Sequence, residues 1–368
     1  MTQADFSRIN RVLIIKLRHH GDVLLTSPLP TLLKTYHPHI ETDVLVYADT
    51  RFLLEQHPAI AQIHVIDRSW KKRGLLYQLR AEMELLQTLR RRHYDLVLHL
   101  TESWRGALLA RWIRPPLAIV ADYVRRRHSR YWRNSFSHHY PVPGRLRHTV
   151  EKHIDALRVL GLHPKTEERR LFLGISAPAR QKIQSLLSEH PWASQGFILI
   201  HPTSRWSFKS WNPEKTARVM ETLLLQGHRV ILSASPDPEE MAMINTIVGY
   251  SSHPPSLNLA GRLSLDELAA LIERSQLFFG MDSAPMHMAA ALNIPSVVLF
   301  GPSGDREWGP WMPDERHRVI TADPEHFPCR PCGLAGCADS QIADCLETIP
   351  VPRVLQAIQE MLSCPALP

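Results

Sequence analysis

Short apolar runs alternate with longer amphipathic stretches along the whole chain. In the first part, continuous apolar runs predict strands at 12–17, 43–48, 63–67, 95–100 and 117–122. Between them lie residues with helical apolar spacing, such as Val23 to Tyr36 (despite Pro28 and Pro30) and Leu75 to Arg92. That alternation predicts a parallel sheet with helices on both faces. Arg145 to Leu162 predicts a helix stopped by Gly161-Leu-His-Pro164, and 163–175 read as a linker. A second series of strands follows at 197–201, 229–233, 257–260, 277–280, 296–300 and 318–321. From Pro350 onward, Val354, Leu355, Ile358 and Leu362 at helical spacing predict a terminal amphipathic helix. The expected fold class is therefore α/β with two Rossmann-like domains. One spans 1–165, the other spans 172–349, and a helix and tail fill 350–368.

Three strand-to-helix turns carry the candidate chemistry. Phe279-Gly-Met-Asp-Ser-Ala-Pro-Met-His287 reads as strand, polar turn and small-residue helix. Asp282 and Ser283 sit where that helix begins, so unsatisfied amides and the positive end of the dipole make an anion site there. His287 lies about one turn further on. Near the N-terminus, Arg18-His-His-Gly-Asp22 follows the first strand; Gly21 is expected to bend the backbone and leave Asp22 at the strand mouth. In the second half, Phe197-Ile-Leu-Ile-His-Pro-Thr-Ser204 leads into a loop that holds Lys209 between two tryptophans.

These motifs occur in the order in which they stand in family 9 glycosyltransferases, and the sequence from about residue 10 to 362 resembles that family: the ADP-heptose:lipopolysaccharide heptosyltransferases. Lys16-Leu-Arg-His-His-Gly-Asp-Val-Leu-Leu-Thr-Ser-Pro28 is most similar to the heptosyltransferase III branch. The resemblance implies a GT-B fold, with the two domains facing across a cleft and the C-terminal helix crossing back to the first domain. It implies inverting transfer of heptose from ADP-heptose to the lipopolysaccharide inner core, as the side-branch heptose on heptose II. Heptosyltransferase I- or II-type activity on another core position stays open.

Charge sharpens the division of labour. Residues 1–165 carry 27 Lys and Arg against 14 Asp and Glu, a net +13, whereas the remainder carries 16 against 22. In 104–147 ten arginines accompany one acid, Asp122, interleaved with Trp104, Trp112, Tyr123, Tyr131, Trp132, Phe136 and Tyr140. Such a patch suits a phosphorylated acceptor, an anionic membrane surface or nucleic acid, or is simply a solvated basic face. With the resemblance it points to phosphorylated inner core and lipid A at the membrane. Arg18, His19, Arg105, Arg125, Arg126 and Arg127 are the acceptor candidates. No RNP, zinc-finger or helix-turn-helix pattern supports nucleic acid, although a basic nucleic-acid-binding α/β protein remains the reading from another class. A Rossmann oxidoreductase is disfavoured because no G-x-G-x-x-G follows a strand. No leader pattern or uninterrupted apolar run of about 18 residues is present, so the expectation is a cytoplasmic protein. The resemblance implies a place on the inner face of the inner membrane as a peripheral protein, and a monomer is expected.

Glycosyl transfer needs a base for the acceptor hydroxyl and positive charge for the departing diphosphate. The resemblance gives Asp22 the first role; a helix cap is its ordinary alternative. Lys209 is the candidate cation, the alternative being a surface lysine. Thr203, Ser204, Ser283 and Ala284 are candidate phosphate donors, Asp282 orients sugar or turn, and His287 contacts phosphate or packs. By the resemblance Glu239 takes the ribose, with Glu240 one residue away. Ser283-Ala284 departs from the Thr-Gly more typical of heptosyltransferase I. No Asp-x-Asp occurs, so no divalent metal is expected for catalysis and no cofactor beyond the ADP-heptose substrate. Cys329, Cys332, Cys337 and Cys345 form C-x2-C-x4-C-x7-C, which reads either as a structural zinc site or as bystander thiols; Cys364 stands alone.

Overall fold

A computed structural model describes residues 5–142, 144, 147–311 and 316–363. Arg145, the expected start of the helix before the linker, and Cys364 lie outside the described residues. The chain forms two compact units, Met1–Gly174 and Ile175–Pro368. Among the described residues each unit is built on one six-stranded parallel sheet.

In the first unit the strands are β1 (Arg11–Ile15), β2 (Glu41–Tyr47), β3 (Ile60–Ile66), β4 (Leu96–His99), β5 (Leu117–Ala121) and β6 (His138–Tyr140), in spatial order 3-2-1-4-5-6. β1 and β4 lie at the centre and are buried on both faces, which is why they read as unbroken apolar runs. The strand order reverses beside β1, so the loops after β1 and β4 border the place where doubly wound sheets bind ligands. The expected helix from Val23 to Tyr36 is two: His20–Leu24 and Pro28–Tyr36. Pro28 is well placed at the start of the second, where its missing N–H leaves no helical hydrogen bond unmade. Residues 163–175 are no loose linker. Leu171 and Leu173 are buried, Phe172 N donates to Ser27 Oγ (2.9 Å), and Arg169 pairs with Glu151 (2.9 Å).

The second unit repeats the plan with β7 (Ile198–His201), β8 (Val230–Leu232), β9 (Leu257–Asn258), β10 (Leu277–Met281), β11 (Ser296–Phe300) and β12 (His317–Thr321), in order 12-11-10-7-8-9. β7 and β10 are adjacent central strands, with Gly280 in register with His201, so the loops after both emerge together. The C-terminal helix Val351–Ser363 buries Val354, Ala357, Ile358 and Met361 in this unit's own core. Among the described residues no helix is long and apolar enough to cross a membrane.

Candidate functional site

In the first unit the site is organised by a buried charge. Lys16 follows β1 and is only 5% exposed. Its Nζ donates to Leu100 O (3.0 Å) and His153 Nε2 (3.0 Å) and lies 3.4 Å from Asp22 Oδ1. His153 Nδ1 donates in turn to Leu25 O (3.0 Å), which leaves Nε2 as the acceptor for the ammonium. Burial, and then the neighbouring Lys16 charge, hold His153 well below the ordinary imidazole pKa. It is therefore a neutral acceptor at neutral pH. Burial likewise pulls the Lys16 pKa down, and the Asp22 carboxylate pushes it back up. The arrangement fixes a carboxylate at the end of a strand, with one oxygen against a cation and its side chain 15% exposed.

Asp22 is not the cap of its helix. His19 takes the cap position, and Gly21 and Asp22 lie inside the first turn of His20–Leu24. Gly21 thus has helical backbone, and the sharp bend expected of it is corrected. Arg18 approaches Asp22 from solvent, its Nε 4.0 Å from Oδ1. Lys16 was missed as a functional residue, although its signal was visible: a lone cation at the end of an apolar strand run must find partners when buried.

Several of the candidate arginines already have partners. Arg105 pairs with Glu82, and Arg127 Nε lies 2.9 Å from Asp122 Oδ2. Arg126 lies 3.3 Å from Glu102 and stacks over Trp104 at 4.6 Å and Trp132 at 5.6 Å. Arg125 is exposed. Two of those carboxylates, Glu82 and Glu102, stand outside 104–147, so counting acids within that stretch overstated its unbalanced charge.

In the second unit the β7 and β10 turns meet. Lys209, in the turn Ser207–Lys209, places Nζ 2.7 Å from Asp282 Oδ2. Asp282 directly follows β10 and is buried at 6% exposure, and Ser283 takes the cap position of helix Ala284–Ala291. The Ser283 side chain makes no cap hydrogen bond; its hydroxyl donates to Met281 O at 3.4 Å. The amides at this helix start therefore lack a side-chain cap and suit an anion. His287 lies on the same helix, buried.

A cavity of about 260 Å³ is lined by Ser207 and Ser210, which flank Lys209 in its loop, and by Thr203, Ser204, Trp211, Glu239, Glu240, Met243 and Ile342 among others. The Thr203 hydroxyl donates to Glu240 Oε2 (2.6 Å), and Ser235 N reaches the same oxygen (3.3 Å). Glu240 is thereby committed inside the wall, while Glu239 is exposed at the cavity. The Ser204 hydroxyl accepts from Trp206 N at 3.4 Å.

Between Cys337 and Cys345, Gln341, Ile342 and Ala343 also line the cavity, so the cysteine loop builds one of its walls. Cys345 is buried, its thiol pushed up to about 11 by burial; Cys329 and Cys337 are exposed and Cys332 is half-buried. Among the described residues no three His, Cys, Asp or Glu side chains stand in metal-holding geometry.

The glycosyltransferase family 9 (heptosyltransferase) model matches residues 83–334. Lipopolysaccharide heptosyltransferase 3 of Escherichia coli is 36% identical over 295 residues, covering 80% of this chain and 84% of the relative. A solved family 9 glycosyl transferase from Veillonella parvula has a TM-score of 0.81 at 21% identity, covering 96% of this chain and 97% of its own. An Escherichia coli heptosyltransferase solved with ADP has a TM-score of 0.72 at 19% identity, covering 95% and 99%. The two structures share the fold, and the first two likenesses carry the lineage: the chain belongs to glycosyltransferase family 9 and is a glycosyltransferase.

Proposed function

We propose that this enzyme transfers L-glycero-D-manno-heptose from ADP-heptose to the lipopolysaccharide inner core, as the side-branch heptose on heptose II. The observation that carries the reading is the second unit's turn, where Lys209 is held by Asp282 against an uncapped helix start beside the Thr203–Glu239 cavity. A cation and free amides at that point suit a diphosphate, and the cavity suits the nucleoside. The 36% identity to lipopolysaccharide heptosyltransferase 3 supports heptose and the core as donor sugar and acceptor.

In this scheme the diphosphate lies on the Ser283 and Ala284 amides with Lys209 shared between Asp282 and the phosphates. Ser204 adds a contact, Thr203 works chiefly by holding Glu240, and the exposed Glu239 takes the ribose. Asp22, fixed by Lys16, accepts the proton of the acceptor hydroxyl as that oxygen bonds to the anomeric carbon. The bond to ADP breaks in the same step, which inverts the anomeric centre. Charge on departing ADP is met by Lys209 and the helix amides, without a divalent cation. Arg18, His19 and Arg125 contact acceptor phosphates. The enzyme works as a monomer on the cytoplasmic face of the inner membrane.

Thermal unfolding with ADP, UDP and GDP tests the donor half. A ligand at 100 times its dissociation constant adds about 2.7 kcal/mol, well within detection. ADP should raise the midpoint and the other two should not. Selective stabilisation by UDP or GDP, or by none of the three, overturns the reading.

A further inference from the structure

Two neighbouring helices of the first unit leave apolar side chains in water. On Leu75–Arg91, Leu75, Leu76, Leu79 and Met83 fall on one stripe at helical spacing, and Leu75 and Leu76 are 71% and 85% exposed. The same helix reaches the core only later, through Leu85 and Leu89. On Trp104–Ile113, Trp104, Leu108 and Trp112 form a second stripe at i, i+4 and i+8; all three are exposed, Trp104 only on the part of its ring that Arg126, Tyr131 and Trp132 leave uncovered. The Glu82–Arg105 ion pair and Arg90 over Trp112 (5.8 Å) tie the helices side by side. Isolated exposed leucines are ordinary, but two adjacent stripes mark an interaction surface.

The surrounding charge indicates what covers it. Lys71, Lys72 and Arg73 lead directly into the first stripe, and all three are exposed. The nearby acids are neutralised, Glu82 by Arg105 and Glu84 by Arg80 at 2.8 Å. An apolar strip bordered by cations, with tryptophans beside it, is the pattern of a segment lying at a membrane interface. We infer that Leu75, Leu76, Leu79, Trp104, Leu108 and Trp112 dip into the headgroup boundary of an anionic phospholipid bilayer while Lys71, Lys72 and Arg73 contact its headgroups. This rests on the membrane-peripheral part of the proposed function and assigns it to one surface. It also separates two tasks within the basic half: these stripes hold the bilayer, whereas Arg18 and Arg125 serve the acceptor.

The test is cosedimentation of the full chain with vesicles of phosphatidylethanolamine and phosphatidylglycerol, and with phosphatidylcholine vesicles. The protein should bind the anionic vesicles and leave the neutral ones. Leu75→Ser with Leu76→Ser should lower partitioning about tenfold or more. Lys71→Gln with Lys72→Gln should weaken binding and flatten its salt dependence. Because these side chains are exposed, both variants should keep the wild-type unfolding midpoint, ADP affinity and turnover of a short soluble acceptor. If the wild-type chain binds vesicles and the Leu75→Ser, Leu76→Ser variant binds equally, this surface is not the docking face, and the membrane reading stands without it. If the wild-type chain binds neither vesicle, the membrane reading and this inference fall together. Loss of self-association by the leucine variant in sedimentation velocity would make the face a contact between copies and overturn the inference.

Discussion

Replacing Lys209 with Met separates what the lysine does for the fold from what it does for the ligand. Its ammonium lies 2.7 Å from Asp282 Oδ2, and the side chains are 23% and 7% exposed. Removing one partner of a fully buried ion pair costs about 3–5 kcal/mol, because the remaining charge is stranded. Lys209 keeps some contact with water, so about 2–3 kcal/mol is the reasonable expectation here. Lys209→Met should therefore lower the unfolding midpoint, and a fall in ADP affinity by itself would be ambiguous. The double variant Lys209→Met, Asp282→Asn resolves this. With neither charge present, most of the lost stability should return, since a neutral amide is far less costly to bury than a carboxylate. ADP affinity should not return. A charge-assisted contact contributes about 1.5–3 kcal/mol, which corresponds to a roughly 10- to 150-fold weaker ADP dissociation constant in calorimetry. A double variant that binds ADP as tightly as wild type would remove Lys209 from the diphosphate. A single variant that melts like wild type would contradict the buried pair.

Other consequences are smaller experiments. Lys16→Met deprives Asp22 of its cation and leaves Leu100 O and His153 Nε2 without their donor; it should reduce kcat more than tenfold while ADP affinity in calorimetry is unchanged, and wild-type turnover would refute the positioning role. Burial depresses His99 and His201 to a pKa of about 4. Unfolding raises these toward about 6.5, so below that pH the unfolded chain binds more protons, and stability should fall as pH drops from about 6.5 toward about 4. The slope should reach up to ~1.4 kcal/mol per pH unit for each imidazole, and urea midpoints that stay flat through that window would contradict the buried neutral state. Arg125→Glu should raise the KM for a phosphorylated acceptor severalfold and leave ADP binding alone; equal use of phosphorylated and dephosphorylated acceptor would give the patch another purpose.

The sheets were legible because their central strands are apolar on both faces, and all six strands of the second unit lie within a few residues of the apolar runs. β6 was not legible. It is a three-residue edge strand, His138-His139-Tyr140, with no apolar run to announce it. The turn after β1 was located correctly but misread locally, because helix His20–Leu24 ends before Pro28 and takes Gly21 and Asp22 into its first turn. Spacing alone cannot distinguish a capping aspartate from one inside the turn. The meeting of Lys209 with Asp282 was clearer, since Asp282, Ser283 and Lys209 belong to loops after adjacent parallel strands. Least visible were partners distant in sequence. Lys16 meets His153, Thr203 meets Glu240 and Arg105 meets Glu82, and none of these pairings follows from local pattern.

Asp22→Asn tests the central claim most directly. Asn preserves shape and local hydrogen bonding but cannot take a proton from the acceptor hydroxyl. The measurement is the single-turnover rate of heptose transfer from ADP-heptose to phosphorylated inner core, beside ADP affinity and the unfolding midpoint of the same preparation. The account predicts normal ADP affinity, a midpoint lowered because Asn leaves the buried Lys16 ammonium without its counter-charge, and a rate reduced by about 10²–10⁴, far more than that loss of stability accounts for. Transfer by Asp22→Asn at near wild-type rate would contradict it and place the base elsewhere.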